Sequence, residues 1–343
     1  MKTALFNKYS TELKIFNKNV PEIKDKEVLV RVSYSSFCGH DLAIISGMLK
    51  RNVSDEVVLG HEVSGIVEAV GRKVVDYLPG DRVVSLLTNS CGECDRCVLD
   101  QSHRCRSGQG IGHGRDGGFA EYISVSQNSL FKIQDDTGLK EACMLACPIG
   151  VIEDAFVKYQ GQFKTAVVSG ATGGLGVYGL QKCARMFERV IALTTHVSAE
   201  SFLLQLGAND VVTYDPSEEF KFKEIVLALT EDEGADLFID PVGSIQFSES
   251  VACVSQYGYI MLLGDIHGVP LNIHVGDMLF KDLQIICSTG TSRRGIALAE
   301  RMMLAGEIKP VISKIIELKD LENIMTIIQE SPPVGRILVD MTL

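Results

Sequence analysis

The sequence predicts an α/β protein made of a β-rich amino-terminal half and a doubly wound parallel sheet flanked by helices. Three observations carry this. Before about residue 150 the chain runs in short stretches where apolar and polar residues alternate, with turns between them. After that point buried-strand runs alternate with segments of helical spacing. At the change of rhythm, a glycine-rich turn stands between a strand and a helix.

The elements follow in order. "EVLVRVSYSS" (27–36) and "HEVSGIVEAVG" (61–71) alternate as half-buried strands do, and "LPGDRVVSLL" (78–87) sets a turn before a strand. A domain over residues 1–150 follows, β-rich and built as a partly open barrel. Next, "TAVVSG" (165–170) reads as a buried strand, "ATGGLGVYGLQKCARMF" as a helix, "RVIALTT" (189–195) as a strand and "SAESFLLQLG" (198–207) as a helix. "DVVTYD", "FKEIVLALT", "ADLFIDPVG", "GYIMLLGD" and "LQIICSTG" (283–290) continue the alternation, which implies a parallel sheet over residues 151–285. A helix, "RRGIALAERMMLAG", and a closing strand, "GRILVDM", lie in residues 286–343, a piece too short to fold alone and expected to return to the first domain.

Composition excludes several classes of function. The formal net charge is −11 and no Lys/Arg run is present, so no nucleic-acid partner is expected. No stretch of about 18 apolar residues occurs, so no membrane span is expected. The amino terminus is interrupted by charge and has no secretory apolar segment, which points to the cytoplasm. In that setting, ten cysteines are better read as metal ligands and buried thiols than as disulfides.

The glycine turn "SGATGGLG" has the spacing GxxGGxG. Gly170, Gly173, Gly174 and Gly176, with Leu175 among them, would let backbone approach a pyrophosphate at a helix amino terminus, where free N–H groups and the dipole favour anions. A glycine turn needed only for packing is the alternative. About twenty residues on, an acidic residue would bind the ribose of NAD. Thr194, Thr195 and His196 stand there instead, so NADP(H) is favoured over NAD(H).

Cys91, Cys94, Cys97 and Cys105 lie in one polar loop, within a lobe of about residues 88–110. Four thiolates at this spacing can enclose one zinc ion completely, leaving no position for substrate. A redox C-x-x-C would show one pair near a βαβ unit, and this loop does not fit that. A catalytic zinc needs fewer protein ligands and an open position. "FCGHDLAIISG" offers Cys38, and "LGHEVSGIVEAVG" offers His61 and Glu62.

The pattern Gly60-His61-Glu62-x2-Gly65-x5-Gly71 resembles the zinc-containing medium-chain dehydrogenase/reductase family, the alcohol dehydrogenase superfamily. So do the strand leading to Cys38, the four-cysteine lobe, "GGFAEYISV" (117–125), the glycine turn, "GADLFIDPVG" and the closing "GEIKPVISKIIELKDLENIMTII…VGRILV". The resemblance spans essentially the whole chain. It implies a GroES-like catalytic domain beside a Rossmann cofactor domain, and two zinc ions per chain, one catalytic and one structural. It also implies hydride transfer between a nicotinamide cofactor and a small alcohol, polyol, aldehyde or ketone.

Carried over by motif, Cys38 and His61 would hold the catalytic zinc. The third ligand would be Cys147, whose Cys-Pro resembles the Glu-Pro of the polyol dehydrogenases, with Cys143 a rival four residues earlier. Glu62 would be an alternate ligand or a supporting group behind the metal. His40 takes the place of the family's Ser or Thr and would either relay the proton or only orient Asp41 or the substrate. Arg336 would lie near the cofactor pyrophosphate, or simply on the surface. Cys143, Cys183, Cys253 and Cys287 would be packed thiols. The glycine turn and the "LTTHVSAES" segment resemble the quinone and acryloyl-CoA reductase branches, which makes reduction of a conjugated C=C by NADPH the alternative. A homodimer or homotetramer, paired through "LQIICST" (283–289), is implied as well.

Overall fold

A computed structural model describes residues 1–217, 222–265 and 267–343. The chain divides into two compact units, Met1–Gly150 with Gly290–Leu343, and Val151–Thr289. It leaves the second unit at Thr289 rather than at 285, because the strand Gln284–Cys287 completes that unit's sheet.

In the first unit, strand Glu27–Phe37 pairs antiparallel with Glu62–Val70 along one side. On its other side it changes neighbour: Glu27–Arg31 face Tyr122–Ser126, while Tyr34–Phe37 face the closing strand Arg336–Asp340. Two register shifts along the pair with Glu62–Val70 allow this, since such irregularities bend a strand. Val28, Val30 and Val32 point to one side and are buried with Val63, Val67, Val83 and Ile123. The alternation in Glu62–Val70 is weaker than its sequence implied. Glu62, Val63, Ser64 and Gly65 are all buried, because helix Leu139–Ala142 covers the second face and Ser64 Oγ donates to Leu139 O at 2.6 Å.

The second unit holds a parallel sheet of six strands among the described residues: Thr165–Val168, Arg189–Thr194, Asp210–Thr213, Ala235–Asp240, Val254–Leu262 and Gln284–Cys287. Numbered in chain order, these lie as 3-2-1-4-5-6. The order reverses between Thr165–Val168 and Ala235–Asp240, at the carboxyl end where open α/β sheets bind ligands. Val167, Ile191, Phe238 and Ile260 are fully buried in its core, worth about 1.5–3 kcal/mol each by the usual transfer scale. Gln284–Cys287 is an edge strand, and its Cys287 is exposed. That corrects the reading of all four remaining cysteines as packed; Cys143, Cys183 and Cys253 are buried.

Candidate active site

Local structure brings the first two candidate ligands together. Cys38 sits where strand Glu27–Phe37 ends, directly before helix Gly39–Ile45. Gly60, with φ +88°, turns the chain into His61, and a Cβ there would strike the Phe119 ring at 2.7 Å. Asp41, fully buried, ties the two segments. Its carboxylate accepts the Cys38 N–H at 2.9 Å and the Gly60 N–H at 3.1 Å, and its Oδ1 lies 3.7 Å from His61 Nδ1. The sequence named Asp41 only as a group for His40 to orient, because one aspartate after a histidine is an ordinary helix-start residue.

One ligand atom each from Cys38, His61, Glu62 and Cys147 lies within 4.8 Å of the others, and all four residues are buried. Cys143 is not in this group; its sulfur donates to Lys140 O at 3.2 Å. Arg336 requires a correction. It is only 5% exposed, so it is not a surface residue, and it is occupied elsewhere than at a cofactor phosphate. Its Nη2 and Nε donate to Glu62 Oε1 and Oε2 at 2.7 and 3.1 Å, and Nη2 lies 3.3 Å from Cys38 Sγ and 3.6 Å from Cys147 Sγ. The register explains this: Ile337 pairs with Phe37, so Arg336 arrives opposite Cys38.

The donor set suits a divalent cation. Two thiols and a carboxyl can supply three negative charges, and one guanidinium balances one of them. A buried excess of two negative charges would be very costly alone, and a zinc ion carries the matching charge. His61 Nδ1 is buried without a hydrogen-bond partner. Cys147, Arg336 and His61 hold the Cys38 thiol well below its ordinary pKa against the effect of burial. Cys147 is raised well above its own, by Cys38 first and burial second. Burial pushes Glu62 up to about 7 against the pull of Arg336.

His40 packs edge-on to the His61 ring, with centroids 5.2 Å apart. Its Nε2 lies 3.1 Å from Nδ1 of His113, a residue the sequence reading passed over inside "GIGHGRDGG". Burial and the nearby His61 lower the His40 pKa to about 4, so it is neutral near pH 7.

The second cysteine cluster is separate. A short antiparallel pair, Thr88–Asn89 with Gln109–Gly110, closes its loop. The Sγ–Sγ separations are 3.5 Å (Cys91–Cys105), 3.6 Å (Cys94–Cys97) and 3.9 Å (Cys91–Cys97 and Cys94–Cys105). Zinc–sulfur bonds of about 2.3 Å give tetrahedral edges of about 3.8 Å, so the cage fits zinc with no position left over.

In the second unit the glycine turn joins Thr165–Val168 to helix Gly174–Met186. Gly170 has φ +52°, and a Cβ on Gly176 would lie 2.1 Å from Gly170 O, so the turn closes only with glycine there. Gly173 precedes the helix and is exposed, Leu175 is half-buried and Gly174 buried. Of the three residues expected at the ribose, Thr194 is turned inward. It is 1% exposed, and its hydroxyl accepts the His196 N–H at 3.0 Å and lies 3.4 Å from Thr172 Oγ1. Thr195 is exposed and His196 half-buried.

A dinucleotide-type parallel sheet, in one chain with two cysteine-containing clusters that could each hold a metal ion, fits the class of zinc-using oxidoreductases. Residues 24–135 match the family model for the alcohol dehydrogenase GroES-like domain, and residues 174–304 that for zinc-binding dehydrogenase. The chain belongs to the zinc-containing medium-chain dehydrogenase/reductase family, the alcohol dehydrogenase superfamily, and is an oxidoreductase that works with zinc and a nicotinamide cofactor on a small molecule. It is 29% identical to acryloyl-coenzyme A reductase of Metallosphaera sedula over 327 residues, covering 93% of each chain. It is 28% identical to alcohol dehydrogenase of Geobacillus stearothermophilus over 328 residues, covering 94% of each. Among solved structures, the cobalt- and zinc-bound thermostable alcohol dehydrogenase of Pyrobaculum aerophilum superposes with a TM-score of 0.85, at 26% identity and 99% coverage of both chains. Among the described residues no helix is long and apolar enough to cross a membrane.

Proposed function

We propose that the chain oxidises a small alcohol or polyol, or reduces the matching aldehyde or ketone, at the site formed by Cys38, His61 and Cys147. The observation that carries this is the buried charge set, three acids against one guanidinium, which calls for a divalent cation. A zinc ion held by Cys38, His61 and Cys147 would supply Lewis-acid polarisation of the substrate oxygen, and a nicotinamide cofactor would supply the hydride acceptor or donor. Arg336 engages both oxygens of Glu62 and so holds that carboxylate back from the metal. Three protein donors then remain, and the fourth position is left for substrate. His40 takes the substrate proton in oxidation and returns it in reduction. A second ion, in the four-cysteine cage, stiffens its loop and takes no part in chemistry.

The glycine turn holds the pyrophosphate, and the strand end at Thr195 and His196 carries no acid to repel a 2′-phosphate, which supports NADP(H). The likeness to acryloyl-coenzyme A reductases supports a second reading, reduction of a conjugated C=C. A metal that draws on an alcohol oxygen has no task in that reaction, so the buried ligand set favours the first. A panel of alcohols, polyols, ketones and enoyl-CoA thioesters, assayed with both cofactors, decides. Turnover confined to carbonyl–alcohol pairs and tighter binding of NADPH than NADH are expected. Turnover of enoyl thioesters alone would overturn the first reading, and preference for NADH the cofactor assignment.

Among the described residues the edge strand Gln284–Cys287 pairs with a strand on one side only, and Ile285, Leu279 and Phe280 are exposed. Such edges are normally covered, which supports pairing with a second copy. Light scattering should show a dimer or tetramer, and a monomer at micromolar concentration would count against it. Ten unpaired thiols suit a reducing compartment, which supports the cytoplasm.

A further inference from the structure

We infer that His113 is a positioning residue that fixes the tautomer of His40, leaving His40 Nδ1 as its proton-accepting atom. The inference rests on the reading of His40 as the proton carrier and adds to it which nitrogen does the work.

The direction of each bond follows from the end of the chain of contacts. His113 Nε2 lies 2.8 Å from Arg51 O, and a carbonyl can only accept, so His113 Nε2 carries a hydrogen. Burial lowers the His113 pKa, so the ring is neutral at pH 7 and its Nδ1 is bare. That bare nitrogen is 3.1 Å from His40 Nε2, and a hydrogen bond at this distance needs one proton between them. The proton therefore belongs to His40 Nε2. A His40 that accepts a proton starts as neutral imidazole, and with its hydrogen fixed at Nε2 by His113 the free lone pair is at Nδ1.

The anchor is firm because the backbone around it is tied. Ser54 N–H donates to His113 O at 3.0 Å, and His113 N–H donates to Gly110 O at 3.3 Å. The loops bearing Arg51 and His113 are thus held together by their main chains, and the imidazole bridges from one of them to His40. A partner not tied in this way would leave His40 to exchange tautomers freely, since the two neutral forms of imidazole are close in energy. Here one of them loses a hydrogen bond.

The test uses zinc-loaded protein labelled with nitrogen-15 in its histidines, and compares wild type with His113→Gln and His113→Leu. Glutamine can accept from His40 Nε2–H through its carbonyl and donate to Arg51 O through its amide, so it should keep the tautomer. Leucine can do neither. The long-range proton–nitrogen spectrum should show His40 as the Nε2–H form in wild type and His113→Gln, and a mixture of both forms in His113→Leu. Turnover number should fall about 10-fold in His113→Leu with KM little changed, and return in His113→Gln, the range usual for residues that orient a working histidine. An Nδ1–H form in wild type, or an unchanged spectrum in His113→Leu, would overturn the inference. Should His113→Leu not fold, His113→Ala replaces it in the same comparison. His40→Ala provides the separate check on the underlying reading: unchanged turnover there would remove His40 as proton carrier whatever the spectra show.

Discussion

Replacing Cys38 with alanine should lower the zinc content from about two ions per chain to about one, and slow turnover by about 10³-fold or more. The Cys38 sulfur is one of two thiols at the buried site, and the Glu62 carboxylate that could stand in for it is held by Arg336. Cys143 is the nearest spare cysteine in sequence, but its sulfur is directed at Lys140 O. Metal polarisation of a reacting oxygen is worth several kcal/mol, and about 4 kcal/mol corresponds to the stated factor. The four-cysteine cage draws on a separate loop and should keep its ion. Cys143→Ala is the control and should leave both quantities unchanged. Metal analysis and steady-state assay of the two variants check the prediction, and an unchanged zinc content in Cys38→Ala would end the assignment of this site.

The sequence displayed the four-cysteine cage openly, because all its ligands fall within fifteen residues of one loop and tetrahedral spacing is visible in the gaps. The proposed catalytic set is harder to see. Cys38, His61 and Cys147 lie far apart in the chain, and only the order of surrounding motifs linked them; the geometry then gathers them with Glu62. The parallel sheet was legible for the same local reason as the cage, since each strand and helix declares its own period. Pairing between distant strands was not. Arg336 therefore read as a cofactor or surface residue, and only the register of Arg336–Asp340 against Glu27–Phe37 places it on Glu62. His113 was illegible for a like reason, since glycines on both sides of it report a turn and say nothing about what the turn approaches.

That distant pairing yields the second large expected effect. In metal-free protein, Arg336→Leu should destabilise the fold by about 3–5 kcal/mol, because it leaves the Glu62 carboxylate buried without its partner. Burial already pushes Glu62 up to about 7 and Arg336 opposes that rise. Without the guanidinium the folded-state pKa climbs further above the ordinary carboxyl value. An acid with a raised folded pKa is most stabilising below its unfolded pKa and loses that contribution as pH rises through the folded one. The deficit of Arg336→Leu against wild type should therefore be smaller at pH 6 than at pH 8. Adding Glu62→Gln removes the stranded charge, so the double variant should recover much of the loss, and denaturant unfolding of wild type, Arg336→Leu, Glu62→Gln and the double variant at both pH values measures the coupling. Turnover separates a mere brace from a residue that guards the metal. With Arg336 gone, Glu62 is free to take the fourth position, so the single variant should keep its zinc but work slowly, and the double variant should regain activity. Equal turnover in the two would leave the Glu62–Arg336 pair with stability as its whole contribution.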